Sequence, residues 1–325
     1  MTVRTTLTIL MLVLTSHVAP AFAASCPDST AANQPPAVPI TDDQGFNHWG
    51  NAWLSAWYEP YHMVHDVLVG EGEFAIMAGK FDYDLTFHKD LEDEDVHVFL
   101  YGTGMTDWEY LGEYRTDSDG KIYAALGNRP VGHYQVRMIV EGDKTEAQGF
   151  LTVVAPGTKA VLFDIDGTLT LNDFEAVKDY LGIRTARAHA FAPETVRAYA
   201  DKGYCITYLT ARPYWLMKDT REWMTHRSLP LWHIHSNPDG ELFTKKDTAQ
   251  YKTDYLNWLI DGGLNLIRVY GNADTDIEAY ERAGIAKQDT YIIGELAGDD
   301  NTQPIVGDYS HHYSTIVLPT PDADE

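Results

Sequence analysis

The second half of the chain alternates apolar, strand-like segments with helical ones, and this alternation limits the possible folds more than any other feature. Buried strands are predicted at "AVLFDI" (160–165), "YCITYLT", "LWHIHS", "LNLIRVYG" and "TYIIGE". Helices are predicted near 173–181, 192–201, 214–227, 246–260 and 275–283. Alternating strands and helices form a parallel sheet that helices cover on both faces. We therefore predict a Rossmann-like α/β domain over residues 156–325.

The preceding segment, residues 71–155, has the pattern of an all-β fold. Its short segments are rich in aromatic and β-branched residues, and turn sequences such as "DSDG" and "EGD" separate them. The predicted strands are "EFAIMAGKF", "DVHVFLYG", "EYLGEYRT", "KIYAAL", "HYQVRMIV" and "AQGFLTVV". Short strands with regular turns predict a small β-sandwich of immunoglobulin-like size.

The N-terminal residues predict an export signal followed by a leader. Residues 1–23 combine a positively charged start, the apolar run "LTILMLVL" and a small–x–small site that ends at Ala23. This order is typical of a signal peptide, so we expect an exported protein, periplasmic or extracellular. Pro, Ala, Ser and Asp dominate residues 24–45, which predicts a flexible leader. No later segment is long and apolar enough to cross a membrane.

The two cysteines of the chain are Cys26 and Cys205. Cys205 lies in a predicted core strand, where a cysteine usually serves as a small apolar side chain. A disulfide between the two is conceivable in an oxidising compartment, but nothing in the sequence brings the residues together. "AASC" also has a weak similarity to a bacterial lipoprotein signal, so lipid attachment at Cys26 is a less favoured alternative.

An aromatic stripe marks residues 46–70, between the leader and the sandwich. Phe46, Trp49, Trp53 and Trp57 recur at three- and four-residue spacing, so they lie on one face of a predicted helix. Tryptophan favours the membrane–water interface, but acidic residues lie nearby and cations are scarce. We therefore expect the stripe to pack against one of the domains, with a membrane-interface helix as the alternative.

The charge of the chain argues against one class of partner. It carries 48 Asp and Glu against 24 Lys and Arg, a formal net charge of −24 at pH 7. Proteins bind nucleic acids through clustered Lys and Arg, so we expect no nucleic-acid partner. A local basic site or a divalent cation can still hold a single phosphate on so acidic a surface.

Two aspartates at the end of the first α/β strand predict a phosphate-handling site. Asp164 and Asp166 are two residues apart, so their carboxylates point in the same direction from an extended chain. Two anions so close need a cation or a proton between them, and hard oxygen ligands suit Mg²⁺. One carboxylate can attack phosphorus while the other donates a proton to the leaving oxygen. Gly167 permits a sharp turn, and Thr168 offers a hydroxyl and backbone donors to phosphate oxygens.

Further polar clusters follow the later strands, at the sheet edge where α/β proteins bind ligands. With "DIDGT", the sequences "TYLTARP", "FTKKDTAQYKTDYL" and "GNADTDIEAY" resemble, in order, the four motifs of the haloacid-dehalogenase phosphohydrolase superfamily. The resemblance implies an Asp164 nucleophile, an Asp166 acid and base, a Thr210 hydroxyl on phosphate, and added charge from Arg212. It also implies Mg²⁺ held by a set of four residues: Asp164, Asp166, Asn272 and Asp276.

More narrowly, the motifs resemble the lipin-type catalytic domain, LNS2, of Mg²⁺-dependent phosphatidate phosphatases. In that family the third-motif lysine follows an aromatic residue, as in "QYKTDYL", which favours Lys252 over Lys245 and Lys246. A sandwich directly before this domain resembles the C-terminal part of retinal-degeneration-B-type phosphatidylinositol-transfer proteins. The partner implied is a phosphorylated lipid at a membrane surface.

The first motif decides between an enzyme and a binding module. Transfer-protein relatives bind phosphatidate with a defective first motif, whereas Asp164, Asp166 and Thr168 are all present here. We therefore predict a phosphatase that converts phosphatidate to diacylglycerol and phosphate through an aspartyl-phosphate. A phosphatidate-binding module without turnover and an exported phosphatase for small soluble phosphomonoesters are the alternatives.

Overall fold

The computed structural model describes residues 25–39, 44–84, 89–171, 186–238, 240 and 243–325. The predicted signal peptide at 1–23 and the helix predicted near 173–181 lie outside these residues. Across the described ranges, no helix combines the length and apolar character that a membrane span requires.

The leader is attached to the rest of the protein. Cys26 forms a disulfide with Cys205, with their Cα atoms 4.8 Å apart, and the Cys26 N–H donates to the Gly203 carbonyl. Helix α1, Thr30–Asn33, buries Ala32. The expectation of a flexible leader is therefore wrong for residues 25–39, because its contacts are distant in sequence and composition does not reveal them. The disulfide also uses the thiol that lipid attachment at Cys26 would need.

The aromatic segment forms a shorter helix than expected and exposes its tryptophans. Helix α2 spans Trp49–Trp57, and strands β1, Met63–Val64, and β2, Val67–Gly70, follow it. Leu54 and Asn51 are its buried residues. The exposed fractions are 87% for Trp49, 49% for Trp53 and 73% for Trp57. The expectation that the stripe packs against a domain is confirmed for Phe46, which packs against the core of the sandwich. It is wrong for the three tryptophans, because Leu54 and Asn51 form the packing face of the helix instead.

The strands that follow form the predicted β-sandwich. They are β3 Phe74–Lys80, β4 Asp82–Tyr83, β5 Lys89–Asp90, β6 Asp95–Gly102, β7 Glu109–Arg115, β8 Lys121–Asn128, β9 Gly132–Val140 and β10 Glu146–Val154. One sheet has the order β1-β3-β8 and the other β2-β10-β9-β6-β7, while β4 and β5 pair separately. Met77, Leu126 and Val136 belong to the apolar core that both larger sheets share. All six predicted strands are present, and the fold class is confirmed.

The two sheets differ in what covers their outer faces. Along β8, buried and exposed residues alternate, as expected for a strand with one face in water. β9 and β10 are buried along nearly their whole length. Their second face is covered because Val154 and Leu68 pack in one cluster with Leu256 and Leu259 of the C-terminal domain.

The C-terminal domain has the predicted parallel sheet. Its strands are β11 Thr158–Phe163, β12 Cys205–Pro213, β13 Ile234–Asn237, β14 Leu264–Gly271, β15 Thr290–Ile293 and β16 Gln303–Ile305, in the order β13-β12-β11-β14-β15-β16. All of their pairings are parallel. The helices are α3 Ala192–Asp201, α4 Met217–His226, α5 Lys245–Asp261, α6 Asp274–Arg282 and α7 Ser310–His312. Sequence patterns found each of these strands except the short edge strand β16.

A buried carboxylate joins the two domains. Asp66 lies just before β2, and its Oδ1 accepts hydrogen bonds from the Phe150 N–H of β10 and from Nη2 of Arg221 in α4, both at 2.8 Å. Its Oδ2 accepts from the N–H of Ile234 in β13, also at 2.8 Å. Asp66 therefore ties the five-stranded sheet to two elements of the C-terminal domain.

A second contact lies where β4 meets the segment after β12. The Tyr214 hydroxyl donates to Oδ2 of Asp82 at 2.8 Å. Burial raises the pKa of Asp82 to about 7, against the lowering effects of the Tyr214 hydrogen bond and the Lys80 ammonium. The N-terminal domain thus contacts the C-terminal domain close to Arg212.

Candidate functional site

The polar residues predicted to form the site come from the ends of three neighbouring strands and from two helices, α5 and α6. β12, β11 and β14 are adjacent in the sheet. Asp164 directly follows β11, Thr210 lies near the carboxyl end of β12, and Asn272 directly follows β14. Carboxyl ends of parallel strands meet at one edge of a sheet, so these side chains face a common region.

The loop after β11 fixes the Asp164 carboxylate. Asp164 is 4% exposed, and the chain turns at Gly167, which has a φ of +71°. The Thr168 hydroxyl donates to Asp164 Oδ2 at 2.8 Å and lies 3.2 Å from Asn272 Oδ1. Thr168 was expected to contact phosphate, whereas in the structure its hydroxyl orients Asp164 and links it to Asn272.

Lys252 lies between two aspartates. Its Nζ donates to Asp164 Oδ1 at 2.7 Å and to Asp276 Oδ1 at 2.6 Å. Of the three lysines that the sequence offered, Lys245 is exposed and pairs with Asp274, and Lys246 is exposed at the start of α5. Only Lys252 of these three lies on the buried side of α5 and reaches the Asp164 carboxylate.

Burial and the attraction between Lys252 and the aspartates have opposite effects on the pKa values in this cluster. Burial raises the pKa of Asp164, the Lys252 ammonium opposes the rise, and repulsion from Asp276 and Asp166 adds to it. Burial lowers the pKa of Lys252, but Asp164 and Asp276 more than offset burial and raise it above its usual value. Lys252 is therefore a permanent cation that neutralises the buried carboxylates.

Both carboxylate oxygens of Asp276 accept hydrogen bonds at the start of α6. Its Oδ2 accepts from the N–H groups of Asn272 at 3.0 Å and Ala273 at 3.1 Å, which caps the helix, and its Oδ1 accepts from Lys252. Gly271 makes this possible, because a Cβ there would lie 2.6 Å from Cβ of Asp276. The contacts of Asp276 are those of a residue that positions Lys252 and the Asn272 loop.

Asp166 lies on the opposite side of the cluster, against Arg212. Nη2 of Arg212 donates to Asp166 Oδ1 at 2.7 Å, and Nε lies 2.9 Å from Oδ2 and 3.1 Å from Oδ1. The Thr210 hydroxyl lies 3.3 Å from Asp166 Oδ2. Nη1 of Arg212 donates to Thr220 Oγ1 of α4 at 2.8 Å. Arg212, expected on phosphate, binds the Asp166 carboxylate in this structure.

Three further side chains support the site, and sequence reasoning missed them. The Tyr309 hydroxyl donates to the Thr168 carbonyl at 3.1 Å. His189 Nε2 lies 3.2 Å from the Gly167 carbonyl, and the Tyr251 hydroxyl donates to the Thr210 carbonyl at 3.3 Å. Each contacts backbone, so no motif in the sequence marks them.

The site contains oxygen donors of the kind that Mg²⁺ binds. Among the residues that the structure describes, no three Asp, Glu, His or Cys side chains converge as a metal-binding cluster. Mg²⁺ needs fewer, since it is usually held by one or two carboxylates together with waters and phosphate oxygens. Oδ2 of Asp164 and Oδ1 of Asn272 both approach the Thr168 hydroxyl, so two hard oxygens face one point. Carboxylate and amide oxygens are ligands that suit Mg²⁺, so the chemistry of this pair fits the ion.

Comparison with protein families identifies both domains. Residues 161–294 match the family described as "PITM 1-3, LNS2 domain". Residues 60–153 match the family described as "PITM 1-3, beta-sandwich domain". The predicted order of a sandwich followed by an LNS2 domain is confirmed.

Curated relatives share this pair of domains within much longer chains. Membrane-associated phosphatidylinositol transfer protein 1 of Homo sapiens is 32% identical over 242 residues, which cover 72% of this chain and 18% of the relative. Protein retinal degeneration B of Drosophila melanogaster is 29% identical over 243 residues, with the same coverage. The chain thus spans about a fifth of the length of these relatives. Relatives named as membrane-associated transfer proteins contradict the prediction of an exported protein.

Solved structures with a related arrangement include phosphatases. An apo phosphoserine phosphatase matches with a TM-score of 0.29 and 15% identity, covering 42% of this chain and 86% of that chain. A class C acid phosphatase from Bacillus anthracis matches with a TM-score of 0.29 and 16% identity, covering 36% and 52%. The chain belongs to the family of the membrane-associated phosphatidylinositol transfer proteins, and it carries their β-sandwich and LNS2 domains in that order.

Proposed function

We propose that the LNS2 domain is a Mg²⁺-dependent phosphatase that hydrolyses phosphatidate to diacylglycerol and phosphate. The observation that carries this proposal is the environment of Asp164. Lys252 binds one of its carboxylate oxygens at 2.7 Å, and Thr168 fixes the other at 2.8 Å. A carboxylate held between a buried ammonium and a hydroxyl is oriented as a nucleophile needs to be.

The reaction takes place in two displacements at phosphorus. Asp164 attacks, an aspartyl-phosphate bond forms, and the bond between phosphorus and the alcohol oxygen breaks while Asp166 donates a proton to that oxygen. Asp166 then accepts a proton from a water molecule, whose oxygen attacks phosphorus and releases phosphate and the free Asp164 carboxylate. Lys252 and the Thr210 hydroxyl stabilise the charge on the transferred phosphoryl group.

Asp164 and Asn272 are the side chains that would hold Mg²⁺, with a backbone carbonyl of the Asp166 loop. The ion would neutralise charge between the Asp164 carboxylate and the phosphate oxygens. Asp276 acts on this site indirectly, since it fixes Lys252 and the backbone of Asn272.

The relatives support a lipid substrate. A haloacid-dehalogenase-like fold by itself does not determine a substrate. The curated relatives with the same two domains are named as transfer proteins for phosphatidylinositol, which is a phospholipid. Phosphatidate is a phospholipid with a terminal phosphomonoester, and a nucleophilic carboxylate opposite a proton donor suits a phosphomonoester.

A phosphatidate-binding module without turnover is the second candidate, and one observation favours it. Arg212 binds both oxygens of Asp166, and a carboxylate held in this way does not face a leaving group. For turnover, the incoming phosphate must draw Arg212 away from Asp166, which a dianionic phosphate can do because guanidinium binds phosphate with two hydrogen bonds.

Phosphate release separates these functions. The full chain is incubated with phosphatidate in mixed micelles or with a soluble aryl phosphate, each with Mg²⁺ or with EDTA. We expect release from phosphatidate that EDTA abolishes, with much slower release from the aryl phosphate. Binding of phosphatidate without release would support the binding module, and faster release from the aryl phosphate would contradict the lipid substrate.

A further inference from the structure

Helix α2 presents an uncharged aromatic face to solvent. Trp49, Trp53 and Trp57 follow one another at four-residue spacing and are 87%, 49% and 73% exposed. No residue from Trp49 to Trp57 carries a charge, although a solvated surface helix normally does on its outer face. Exposed rings of this size on one helical face indicate a surface that contacts something apolar.

The helix is held rigidly from its other face. The buried carboxylate of Glu94 accepts from the N–H of Asn47 at 2.7 Å, the N–H of His48 at 3.0 Å and Nδ2 of Asn51 at 2.7 Å. Leu54 packs in the core of the sandwich. The helix that carries the tryptophans is therefore already ordered in the free protein. Binding of a partner then costs little further conformational entropy of this segment.

We propose that α2 docks the protein on a zwitterionic phospholipid bilayer. Tryptophan rings settle at the headgroup level of a bilayer, where the ring is apolar and its N–H stays hydrated. Charge selects the kind of bilayer. The helix carries no cation. The exposed carboxylates of Asp93 and Glu59, which flank it, form ion pairs with Arg115 and Lys218, so the charges beside the helix balance. With a net charge of −24, an anionic membrane repels the chain and a neutral one does not.

The position of α2 suits a protein that handles a bilayer lipid. Glu59 and Pro60 follow Tyr58 at the end of the helix, and the Pro60 carbonyl lies 3.4 Å from Nζ of Lys218 in α4. β4, which pairs with Pro60 through Tyr83, also contacts Tyr214 after β12. The C-terminal end of the stripe thus lies on the side of the sandwich that meets the segment following Arg212.

Vesicle binding tests the docking surface independently of phosphate release. The full chain is floated with phosphatidylcholine vesicles that contain no phosphatidate, and brominated phosphatidylcholine reports tryptophan insertion through fluorescence quenching. The variant is Trp49→Ala with Trp57→Ala. Its matched control is Trp258→Ala, since Trp258 of α5 is 40% exposed and lies outside the stripe. Circular dichroism and thermal unfolding verify that both variants fold.

We expect the wild-type chain to float and to be quenched. The double variant should partition about tenfold more weakly or worse, because two rings leave the interface, and Trp258→Ala should match the wild type. Adding phosphatidylglycerol should weaken wild-type binding at low salt. The proposal would be overturned if the wild type did not float, or if the double variant floated as well as the wild type. It would also be overturned if the double substitution changed only self-association, measured by sedimentation velocity.

Discussion

Arg212 holds Asp166 through two nitrogens, at distances of 2.7 to 3.1 Å, while its third nitrogen donates to Thr220. The guanidinium is buried, so this ion pair is shielded from solvent. The proposed proton donor is thus bound to the side chain expected to recognise phosphate. Turnover then requires that the substrate phosphate take the place of the Asp166 carboxylate on Arg212.

Replacing the guanidinium should impair both binding and turnover. In Arg212→Lys a point charge replaces the planar fork and cannot bind phosphate and Thr220 together. We expect kcat/KM for phosphatidate to fall about 10- to 100-fold, with a rise in KM. Steady-state kinetics on mixed micelles measure this. Thr220→Val should give a smaller loss, whereas Thr220→Ser, which keeps the hydroxyl, should behave like the wild type. An unchanged KM in Arg212→Lys would contradict a role on phosphate.

Lys252 is the lysine whose loss should stop the reaction. Lys252→Met leaves Asp164 and Asp276 buried without their shared cation. We expect phosphate release to fall about a thousandfold and the free energy of unfolding to fall by about 3 kcal/mol, measured by urea denaturation. The matched control is Lys245→Met, at the exposed start of the same helix, which should retain activity. Equal activities of the two variants would contradict the assignment.

The buried Asp66–Arg221 pair should couple the stability of the two domains. In Asp66→Asn the Arg221 guanidinium stays buried without its counter-charge, which costs about 3–5 kcal/mol of unfolding free energy. Urea unfolding followed by far-UV circular dichroism gives this value. Asp300→Asn, which breaks an exposed pair with Lys287, should unfold like the wild type. A loss for Asp66→Asn no larger than for this control would show that Asp66 does not join the domains.

Asp82 should make stability depend on pH. Its pKa is raised to about 7 by burial, from an ordinary value of 3.8, so the folded chain retains a proton that the unfolded chain releases. Stability from this group is therefore complete below pH 4 and is lost as the pH rises through 7. Asp82→Asn removes the effect, so the difference in unfolding free energy between the variant and the wild type should change by about 4 kcal/mol at most over that range. A difference that stays constant from pH 4 to pH 8 would contradict the raised pKa.

Local patterns in the sequence were enough to predict the strands of the sandwich and the parallel sheet, because both depend on short-range alternation of apolar residues. The proximity of Asp164, Thr210 and Asn272 also follows from sequence, since strand ends of a parallel sheet meet at one edge. Lys252 lies within helix α5, and only the resemblance to a known family placed it at the site. The disulfide of Cys26, in contrast, joins residues 179 positions apart, and no local pattern encodes it.

Exposure was harder to predict than secondary structure. The spacing of the tryptophans in α2 indicates a helical face, but it does not say which face the protein covers. The buried carboxylate of Glu94 determines which face is covered. It accepts a hydrogen bond from Asn51 and so holds the Asn51 side of the helix against the sandwich. In the same way, the contact of Tyr309 with the Thr168 carbonyl depends on how the C-terminal segment returns to the site.

The most direct test of catalysis compares binding and turnover in Asp166→Asn. Phosphatidate binding to the full chain and Mg²⁺-dependent phosphate release are measured on the same micelles, for the wild type and the variant. The account predicts release by the wild type, and in the variant a loss of about a hundredfold or more with binding retained, since Asn cannot transfer the proton. Equal release by the two proteins, or binding by the wild type with no release at all, would contradict it.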